Sequence, residues 1–334
     1  MAEIVVSTPL QLAKGGAVFR AAFDVREAPP EESALAAAIL RHNARAAIVG
    51  SDPYVGPLYE ALGQTGGSRG ALIARFGVGH DNVDKRLARR HHIVVTNTPG
   101  VLHVSVAEHT MWLLGSLARH VASMSLAFKV GQFAPQTGIE IRGKTLGLVG
   151  FGAIGREVAR IAHQGFGMRI LAVDPRPAEQ LENELGKRFA EIRSEFGLHA
   201  YVAEPEAILP ECDFVSLHLP ALPETLRFFD ARRLARMKPG AMLINTARGW
   251  VVDESALYDA LAGGRIAAAA LDVFHAEPYE PVSPDKDLRK LSNVLLTPHA
   301  ASNTFEANRR IAECVAANVA RFFAGRIDEM TRVG

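Results

Sequence analysis

The segment GFGAIG at residues 150–155 constrains the fold of this chain more than any other stretch. A short apolar run at residues 146–149 precedes it, and apolar residues at helical spacing follow it at 157–162. This order predicts a strand, a tight turn and a helix. Glycine at the three positions permits the turn, lets backbone approach a pyrophosphate, and lets the helix pack closely on the strand. The context therefore predicts a dinucleotide site at a helix N-terminus.

A second apolar run, residues 169–173, leads into Asp174. We expect it to be the next parallel strand, with the acid placed to bind a ribose 2′-hydroxyl. Between Asp174 and the next strand the chain is long, and residues 179–196 show a helix-like alternation of charged and apolar residues. We interpret this segment as a solvated surface helix.

Strands and helices alternate along the whole chain, which predicts parallel sheets with helices on both faces. Strands are expected at residues 4–7, 17–23, 46–49, 71–75, 93–95, 214–217, 242–245, 267–271 and 294–296. Further helices are expected at residues 31–42, 57–62, 82–90, 104–122 and 304–323. The fold class is therefore α/β, with two Rossmann-like, doubly wound parallel-sheet domains and an active-site cleft between them. Residues 1–100 with 302–334 would form one domain, and residues 101–301 the dinucleotide-binding domain.

Composition excludes several other classes of protein. Lys and Arg number 37 against 36 Asp and Glu, so the chain lacks the charge imbalance of a protein that binds nucleic acid or an anionic membrane. Cys212 and Cys314 match no metal-ligand spacing and suit reduced thiols in the cytoplasm. No apolar run reaches membrane-spanning length, and no signal peptide is evident. We expect a cytoplasmic protein without a metal site.

Three later motifs carry a family resemblance: NTARG at 245–249, LDVFHAEP at 271–278 and TPHAA at 297–301. With GVGHDNVD at 77–84, NTP at 97–99 and VAE at 106–108, they cover nearly the whole chain. The chain resembles the D-isomer-specific 2-hydroxyacid dehydrogenase family, which includes phosphoglycerate dehydrogenases and glyoxylate/hydroxypyruvate reductases. The resemblance implies an NAD-dependent oxidoreductase that moves a hydride between nicotinamide and a D-2-hydroxy acid/2-oxo acid pair. It also implies a homodimer.

The chemistry of that reaction explains the catalytic residues that the resemblance implies. Reducing a ketone requires a proton for its oxygen, and an imidazole, here His299, can supply one near neutral pH. Glu277 would fix the ring tautomer and favour the imidazolium. Arg248 would bind the substrate carboxylate and polarise the ketone. Each of these three residues could instead have a structural role. His275, two residues before Glu277, could be mistaken for the proton donor.

The resemblance also implies binding residues. For the cofactor these are Gly150, Gly152, Ala153, Ile154, Gly155, Asp174, Leu219, Pro220, Thr225, Thr246, Ala247, Arg248 and Asp272. For the substrate they are Tyr54, Arg75, Val78, Gly79, Arg248 and His299. Asp174 favours NAD because it would repel the 2′-phosphate of NADP. Arg176 could accept that phosphate or stack on adenine, although we expect a solvated loop arginine. Arg75 could meet a phosphate or second carboxylate, or be an ordinary strand-end residue.

Other functions remain open from the sequence. The substrate could be 3-phosphoglycerate specifically, or glyoxylate, hydroxypyruvate or a sugar-derived acid. Oxidation of phosphite is disfavoured because Val78 stands where that chemistry uses a lysine, and formate oxidation because the usual N-terminal extension is missing. A cofactor-sensing binding protein, like the transcriptional corepressors that share this fold, would keep the same three catalytic residues.

Overall fold

The computed structural model describes residues 3–333 of the 334-residue chain. The chain forms two compact units. Unit 1 comprises Met1–Leu102 and Asn303–Gly334, and unit 2 comprises His103–Ser302. These divisions lie next to the domain boundaries expected from the sequence, whereas substrate binding by unit 1 stays a prediction.

Unit 1 is built on a parallel sheet of five strands in the order β2-β1-β3-β4-β5, numbered along the chain. The strands are β1 (Ile4–Ser7), β2 (Asp24–Glu27), β3 (Ala46–Val49), β4 (Ala71–Arg75) and β5 (Ile93–Thr96). The helices are α1 (Pro9–Ala22), α2 (Glu32–His42), α3 (Pro57–Gly66), α4 (Lys85–Arg90) and the last helix of the chain, α12 (Phe305–Phe323). Every residue of β3 is buried, because apolar cores cover both faces of the sheet.

The strand predicted over residues 17–23 is wrong, because residues 17–22 belong to helix α1 and Phe23 is its C-cap. Its Ala-Val-Phe run suggested a strand, but the buried residues of α1, including Leu12, Gly15 and Phe19, follow helical spacing. A Cβ on Gly15 would lie 2.8 Å from the Cβ of Ala312. Close packing of α1 on α12 therefore determines the structure here, and no local pattern reveals that contact.

Unit 2 is built on a parallel sheet of seven strands in the order β12-β11-β10-β9-β6-β7-β8. The strands are β6 (Thr145–Val149), β7 (Arg169–Val173), β8 (Leu198–Val202), β9 (Phe214–Leu217), β10 (Met242–Asn245), β11 (Ala268–Leu271) and β12 (Val294–Leu296). The helices are α5 (His103–Arg119), α6 (Val121–Lys129), α7 (Ala153–Phe166), α8 (Ala178–Leu185), α9 (Phe189–Phe196), α10 (Ala231–Arg236) and α11 (Glu254–Ala262). The predicted α/β fold of two Rossmann-like parallel-sheet domains is confirmed.

The strand order of unit 2 reverses beside β6, which pairs with β7 on one side and β9 on the other. In open parallel sheets, ligands bind at the carboxyl ends of strands where the order reverses. Strand β6 ends at Val149, directly before the glycine turn. The topology therefore places this turn where a ligand site is expected.

The connection after Asp174 differs from the single surface helix expected from the sequence. It contains two helices, α8 and α9, separated at Gly186, whose φ is +62°. Strand β8 follows at the sheet edge, and sequence reasoning missed it because His199 and Tyr201 interrupt the continuous apolar run that marks the buried strands. Phe196 of α9 packs edge-on against Phe151 of the glycine turn, with ring centroids 5.6 Å apart. The connection thus lies against the predicted dinucleotide site.

The long helix predicted over residues 104–122 is interrupted. Helix α5 ends at Arg119, and His120 takes a left-handed conformation with φ of +54° before α6 begins. The apolar spacing of the two helices runs on across the break, so periodicity alone could not locate it. Within residues 3–333 no helix combines the length and apolar character that crossing a membrane requires.

Candidate active site

The glycine turn has the geometry that a pyrophosphate site needs. Gly150 has φ of +101°, and a Cβ there would lie 2.4 Å from the carbonyl oxygen of His218. A Cβ on Gly155 would lie 2.2 Å from the carbonyl oxygen of Gly150, whereas one on Gly152 would meet no atom within 4 Å. Helix α7 begins at Ala153, so the free N–H groups of its first turn lie beside this open space. The turn fits a dinucleotide.

Asp174 follows β7 and is almost fully buried beside the turn. Its Oδ2 accepts a 2.9 Å hydrogen bond from the amide of Phe151, and both its oxygens accept from the side chain of Arg176. Burial alone would raise the pKa of Asp174, but Arg176 and the Phe151 amide outweigh it and hold the pKa below its usual value. Arg176 is not the solvated loop arginine expected, because it is paired with both Asp174 and Glu184.

The loop after β9 carries three predicted cofactor residues, Leu219, Pro220 and Thr225. Leu219 packs on the apolar core of unit 2. The hydroxyl of Thr225 donates a 2.6 Å hydrogen bond to the carbonyl oxygen of Pro220 and accepts one of 2.8 Å from the amide of Leu222. These bonds fix the loop at the carboxyl end of β9, next to β6. Cofactor contact by the three residues stays a prediction.

The turn after β10 carries Thr246, Ala247 and Arg248. Asn245 shapes it, since its Oδ1 accepts from the amide of Ala247 at 3.0 Å and its Nδ2 donates to the carbonyl oxygen of Arg248 at 2.9 Å. The hydroxyls of Thr246 and Thr110 lie 2.9 Å apart. Arg248 Nη1 donates to the carbonyl oxygen of Ala247 at 2.7 Å. The guanidinium is thereby held at the carboxyl end of β10.

A histidine–glutamate pair lies beyond the ends of β11 and β12. Nδ1 of His299 is 2.7 Å from Oε2 of Glu277, whose other oxygen accepts from the amide of Phe274 at 3.0 Å. Burial pushes the pKa of Glu277 up, but His299, the Phe274 amide and the charge of Arg248 together lower it below its usual value. An ionised Glu277 keeps the proton on Nδ1, so Nε2 is the ring nitrogen left for a substrate.

Asp272 is fully buried and supports the loop that carries His299. Its Oδ1 accepts from the hydroxyl of Thr297 at 2.5 Å and the amide of Ala300 at 2.9 Å, and its Oδ2 accepts from the amide of Ala301 at 2.9 Å. These bonds hold His299 at φ of +49°, which is uncommon for a residue with a Cβ. The cofactor contact expected of Asp272 stays a prediction.

His109, on α5, is a member of this cluster that sequence reasoning missed. Its Nε2 lies 3.2 Å from the hydroxyl of Thr297 and 3.5 Å from Oδ1 of Asp272. Burial would raise the pKa of Asp272, but His109, Thr297 and the two loop amides hold it below its usual value. His109 directly follows the VAE segment of the family resemblance, yet nothing local pairs it with a residue so distant in sequence.

Sequence reasoning also missed Glu254 and His218. Glu254 accepts a 2.7 Å hydrogen bond from the amide of His275 and so supports the segment before Glu277, while burial raises the pKa of Glu254. Burial lowers the pKa of His218 to about 3, so this ring beneath the glycine turn is neutral. Its Nε2 lies 3.0 Å from the hydroxyl of Ser216. Neither residue belongs to a pattern that distinguishes it in the sequence.

Four predicted substrate residues belong to unit 1. Arg75 ends β4, and its guanidinium donates to the carbonyl oxygen of Phe76. Tyr54 is buried, which raises the pKa of its hydroxyl. Val78 and Gly79 lie in the loop after β4. Neither backbone amide donates a hydrogen bond to another residue of the described range 3–333. The two N–H groups are therefore available to an anion.

Comparison with known proteins identifies the family. The family model described as "D-isomer specific 2-hydroxyacid dehydrogenase, NAD binding domain" matches residues 111–301, more than half of the chain. The chain belongs to this family. It is an oxidoreductase that transfers a hydride between a nicotinamide cofactor, NAD, and a 2-hydroxy acid/2-oxo acid pair.

Individual relatives of this dehydrogenase carry narrower names. It is 40% identical over 307 residues to a glyoxylate reductase of Korarchaeum cryptofilum, covering 90% of this chain and 86% of that protein. It is 36% identical over 256 residues to a D-3-phosphoglycerate dehydrogenase of Archaeoglobus fulgidus, covering 76% of this chain but 45% of that enzyme. The crystal structure of an NADPH-dependent glyoxylate/hydroxypyruvate reductase from Sinorhizobium meliloti, in complex with NADP and malonate, has a TM-score of 0.80 at 28% identity, covering 100% of this chain and 97% of that one.

Proposed function

We propose that this dehydrogenase reduces glyoxylate and hydroxypyruvate to the corresponding 2-hydroxy acids, with NADH as the hydride donor. The observation that carries the proposal is the 2.7 Å pair of His299 Nδ1 and Glu277 Oε2, at the end of the sheet that also bears the glycine turn. The named relatives support the choice of substrate. The similarity to the glyoxylate reductase extends over most of both proteins, whereas the similarity to the phosphoglycerate dehydrogenase covers less than half of that enzyme.

His299 is the proposed proton donor. The bound nicotinamide supplies the hydride to the ketone carbon, and the protein supplies the proton and the charge around the developing alkoxide. Protonated His299 would donate from Nε2 to the ketone oxygen. Ionised Glu277 would stabilise the imidazolium before the transfer and hold the neutral ring in the correct tautomer after it.

Substrate binding is proposed to use one charged side chain and two backbone amides. The guanidinium of Arg248 would bind the carboxylate and polarise the ketone oxygen, since its planar fork offers two parallel donors. In unit 1, the amides of Val78 and Gly79 are the proposed anion-binding groups. Tyr54 and Arg75 are further proposed substrate residues of unit 1.

For the cofactor, we propose that the pyrophosphate lies against Gly150, Gly152, Gly155 and the N–H groups of Ala153 and Ile154. The open space at Gly152 and the start of α7 support this placement. Asp174 would bind the adenosine ribose. The remaining contacts would come from the loops that follow the neighbouring strands, at Leu219, Pro220, Thr225, Thr246, Ala247 and Asp272.

A substrate panel tests the proposal. The purified enzyme is mixed with NADH and glyoxylate, hydroxypyruvate, pyruvate or 3-phosphohydroxypyruvate, and the nicotinamide absorbance is followed. We expect the first two to give the highest kcat/KM. Preference for the phosphorylated acid would instead identify a phosphoglycerate dehydrogenase, and tight NADH binding without turnover would support a cofactor-sensing protein.

Two histidine variants separate the proposed acid from its neighbour in the sequence. His299→Asn should lower kcat by roughly a hundredfold or more, because general acid catalysis contributes about that much. His275→Asn is the matched control and should stay near the wild type. A larger loss in His275→Asn than in His299→Asn would contradict the assignment.

We also propose a cytoplasmic homodimer. The two cysteines are unpaired, which suits a reducing compartment. No residue of α6 is buried, and apolar side chains there and nearby are largely exposed, including Trp112 at 75%, Phe128 at 65% and Phe133 at 86%. Such a surface suits a second copy of the chain.

Light scattering after size-exclusion chromatography tests the dimer. Phe128→Asp with Phe133→Asp should shift the mass toward the monomer. Phe305→Asp is the control, because Phe305 is 93% exposed but lies on α12 of unit 1. A wild-type protein of monomer mass would contradict the proposal.

A further inference from the structure

All the hydrogen-bond acceptor positions of the Asp174 carboxylate are occupied. Its Oδ1 accepts from the backbone amide of Arg176 at 3.1 Å and from Arg176 Nε at 2.7 Å. Its Oδ2 accepts from the amide of Phe151 at 2.9 Å and from Arg176 Nη2 at 2.8 Å. A carboxylate offers about four lone-pair positions. A ribose hydroxyl can therefore bond Asp174 fully only when the guanidinium of Arg176 gives up its place.

The guanidinium of Arg176 has a second anchor in Glu184. Arg176 Nη1 donates to Glu184 Oε2 at 2.6 Å, and Glu184 Oε1 lies 2.9 Å from Nη2 of Arg156. Arg156 belongs to the first turn of α7, and both arginines also donate to the carbonyl oxygen of Phe151. Glu184 thus bridges two arginines at the edge of the dinucleotide turn.

Glu184 comes from the long connection that follows Asp174. It stands in the last turn of α8, where the helix dipole disfavours a negative charge. Its charge therefore does not stabilise the helix. It instead forms ion pairs with Arg156 and Arg176. The aromatic contacts of this connection with Phe151, through Phe196 and Tyr201, fix it against the glycine turn.

We propose that Glu184 is a specificity-determining residue that favours NAD over NADP. When NAD binds, Glu184 keeps Arg176 anchored while the guanidinium leaves Asp174 to the ribose hydroxyls. When NADP binds, its 2′-phosphate faces two carboxylates, Asp174 and Glu184, and an arginine that Glu184 already neutralises. The inference rests on the NAD chemistry proposed above for this turn.

The test compares Glu184→Gln with Glu179→Gln. Both substitutions remove one negative charge from α8, but Glu179 is exposed in the first turn of the helix and forms no ion pair among the described residues. Dissociation constants for NADH and NADPH are measured by nicotinamide fluorescence without any oxo acid, so the result does not depend on which substrate the enzyme uses.

We expect Glu184→Gln to tighten NADPH binding by about three- to tenfold, the effect of one partly exposed charge, with NADH changed by less than about twofold. Glu179→Gln should leave both constants near wild type. Adding Arg176→Ala to Glu184→Gln should abolish the gain. An unchanged NADPH-to-NADH ratio in Glu184→Gln, an equal shift in Glu179→Gln, or a gain that survives without Arg176 would each overturn the proposal.

Discussion

The backbone N–H of His299 donates a 2.8 Å hydrogen bond to the carbonyl oxygen of Asp272. The carboxylate of the same aspartate accepts from the amides of Ala300 and Ala301, the two residues that follow. Three successive backbone amides of the loop that carries His299 therefore donate hydrogen bonds to one buried residue. The position of His299, the proposed proton donor, therefore depends on Asp272. All the hydrogen bonds described for the Asp272 carboxylate are made to other residues of the protein.

Asp272→Asn should destabilise unit 2. An amide nitrogen cannot accept the hydrogen bonds that the loop amides and Thr297 donate, so at least one buried donor loses its partner. We expect a loss of about 2 to 3 kcal/mol in the free energy of unfolding, which denaturant titration would measure. An unfolding midpoint equal to that of the wild type would show that the loop does not depend on Asp272.

Lowering the pH should destabilise the wild-type protein partly by protonating Asp272. The folded-state pKa of Asp272 lies below its usual value, so its ionisation stabilises the fold. That contribution is complete above the unfolded-state pKa of about 4 and is lost as the pH falls through the lower folded-state value. Stability measured from pH 7 to pH 2 should therefore decrease less steeply in Asp272→Asn below about pH 4. Parallel curves for the two proteins would contradict this linkage.

Glu277→Gln should change the pH dependence of ketone reduction. The glutamate carries its negative charge at neutral pH, because its folded-state pKa is lowered, and that charge lies 2.7 Å from Nδ1 of His299. When the charge is removed, we expect the alkaline decline of kcat/KM to move to lower pH. The pH–rate profile measures this directly, and identical declines would remove Glu277 from the role.

Arg248→Lys should reduce kcat/KM by about tenfold or more although the charge is kept, because a point charge cannot reproduce a bidentate fork. Steady-state kinetics with glyoxylate measure the loss. Arg233→Lys is a control outside the proposed site, on α10. Retention of wild-type kcat/KM in Arg248→Lys would exclude the bidentate contact.

Two alanine substitutions in the glycine turn should have different effects. Gly155→Ala would bring a Cβ within 2.2 Å of backbone and should lower the melting temperature of the protein. Gly152→Ala meets open space, so we expect the protein to fold normally and to bind NADH more weakly, because the methyl group enters the proposed pyrophosphate position. Unimpaired NADH binding by Gly152→Ala would place the pyrophosphate elsewhere.

The sequence predicted those parts of the fold that depend on local pattern. Buried parallel strands such as β3 are continuous apolar runs, and the glycine turn has a defined spacing, so both were located correctly. The segment at residues 17–23 was not, because α1 is determined by its contact with α12, far away in sequence. The edge strand β8 was missed because His199 and Tyr201 interrupt its short apolar run.

The same distinction applies to the candidate site. Arg248, Glu277 and His299 lie in motifs, so their types and spacing could be recognised in the sequence. His109 contacts Thr297 far away in the chain, and Glu184 on α8 contacts Arg156 on α7 and Arg176 before α8. Only the fold brings these side chains together. Their contribution depends on distances and hydrogen bonds that no linear pattern contains.

Unit 1 is made from both ends of the chain, since α1 packs against α12 while the whole of unit 2 lies between them in sequence. During synthesis the ribosome must therefore complete the entire dinucleotide-binding unit before helix α1 meets α12. Until then Leu12 and Phe19 of α1 lack the apolar partners that α12 supplies. Completion of unit 1 is consequently a late event in biogenesis, because it requires α12, which is translated after the whole of unit 2.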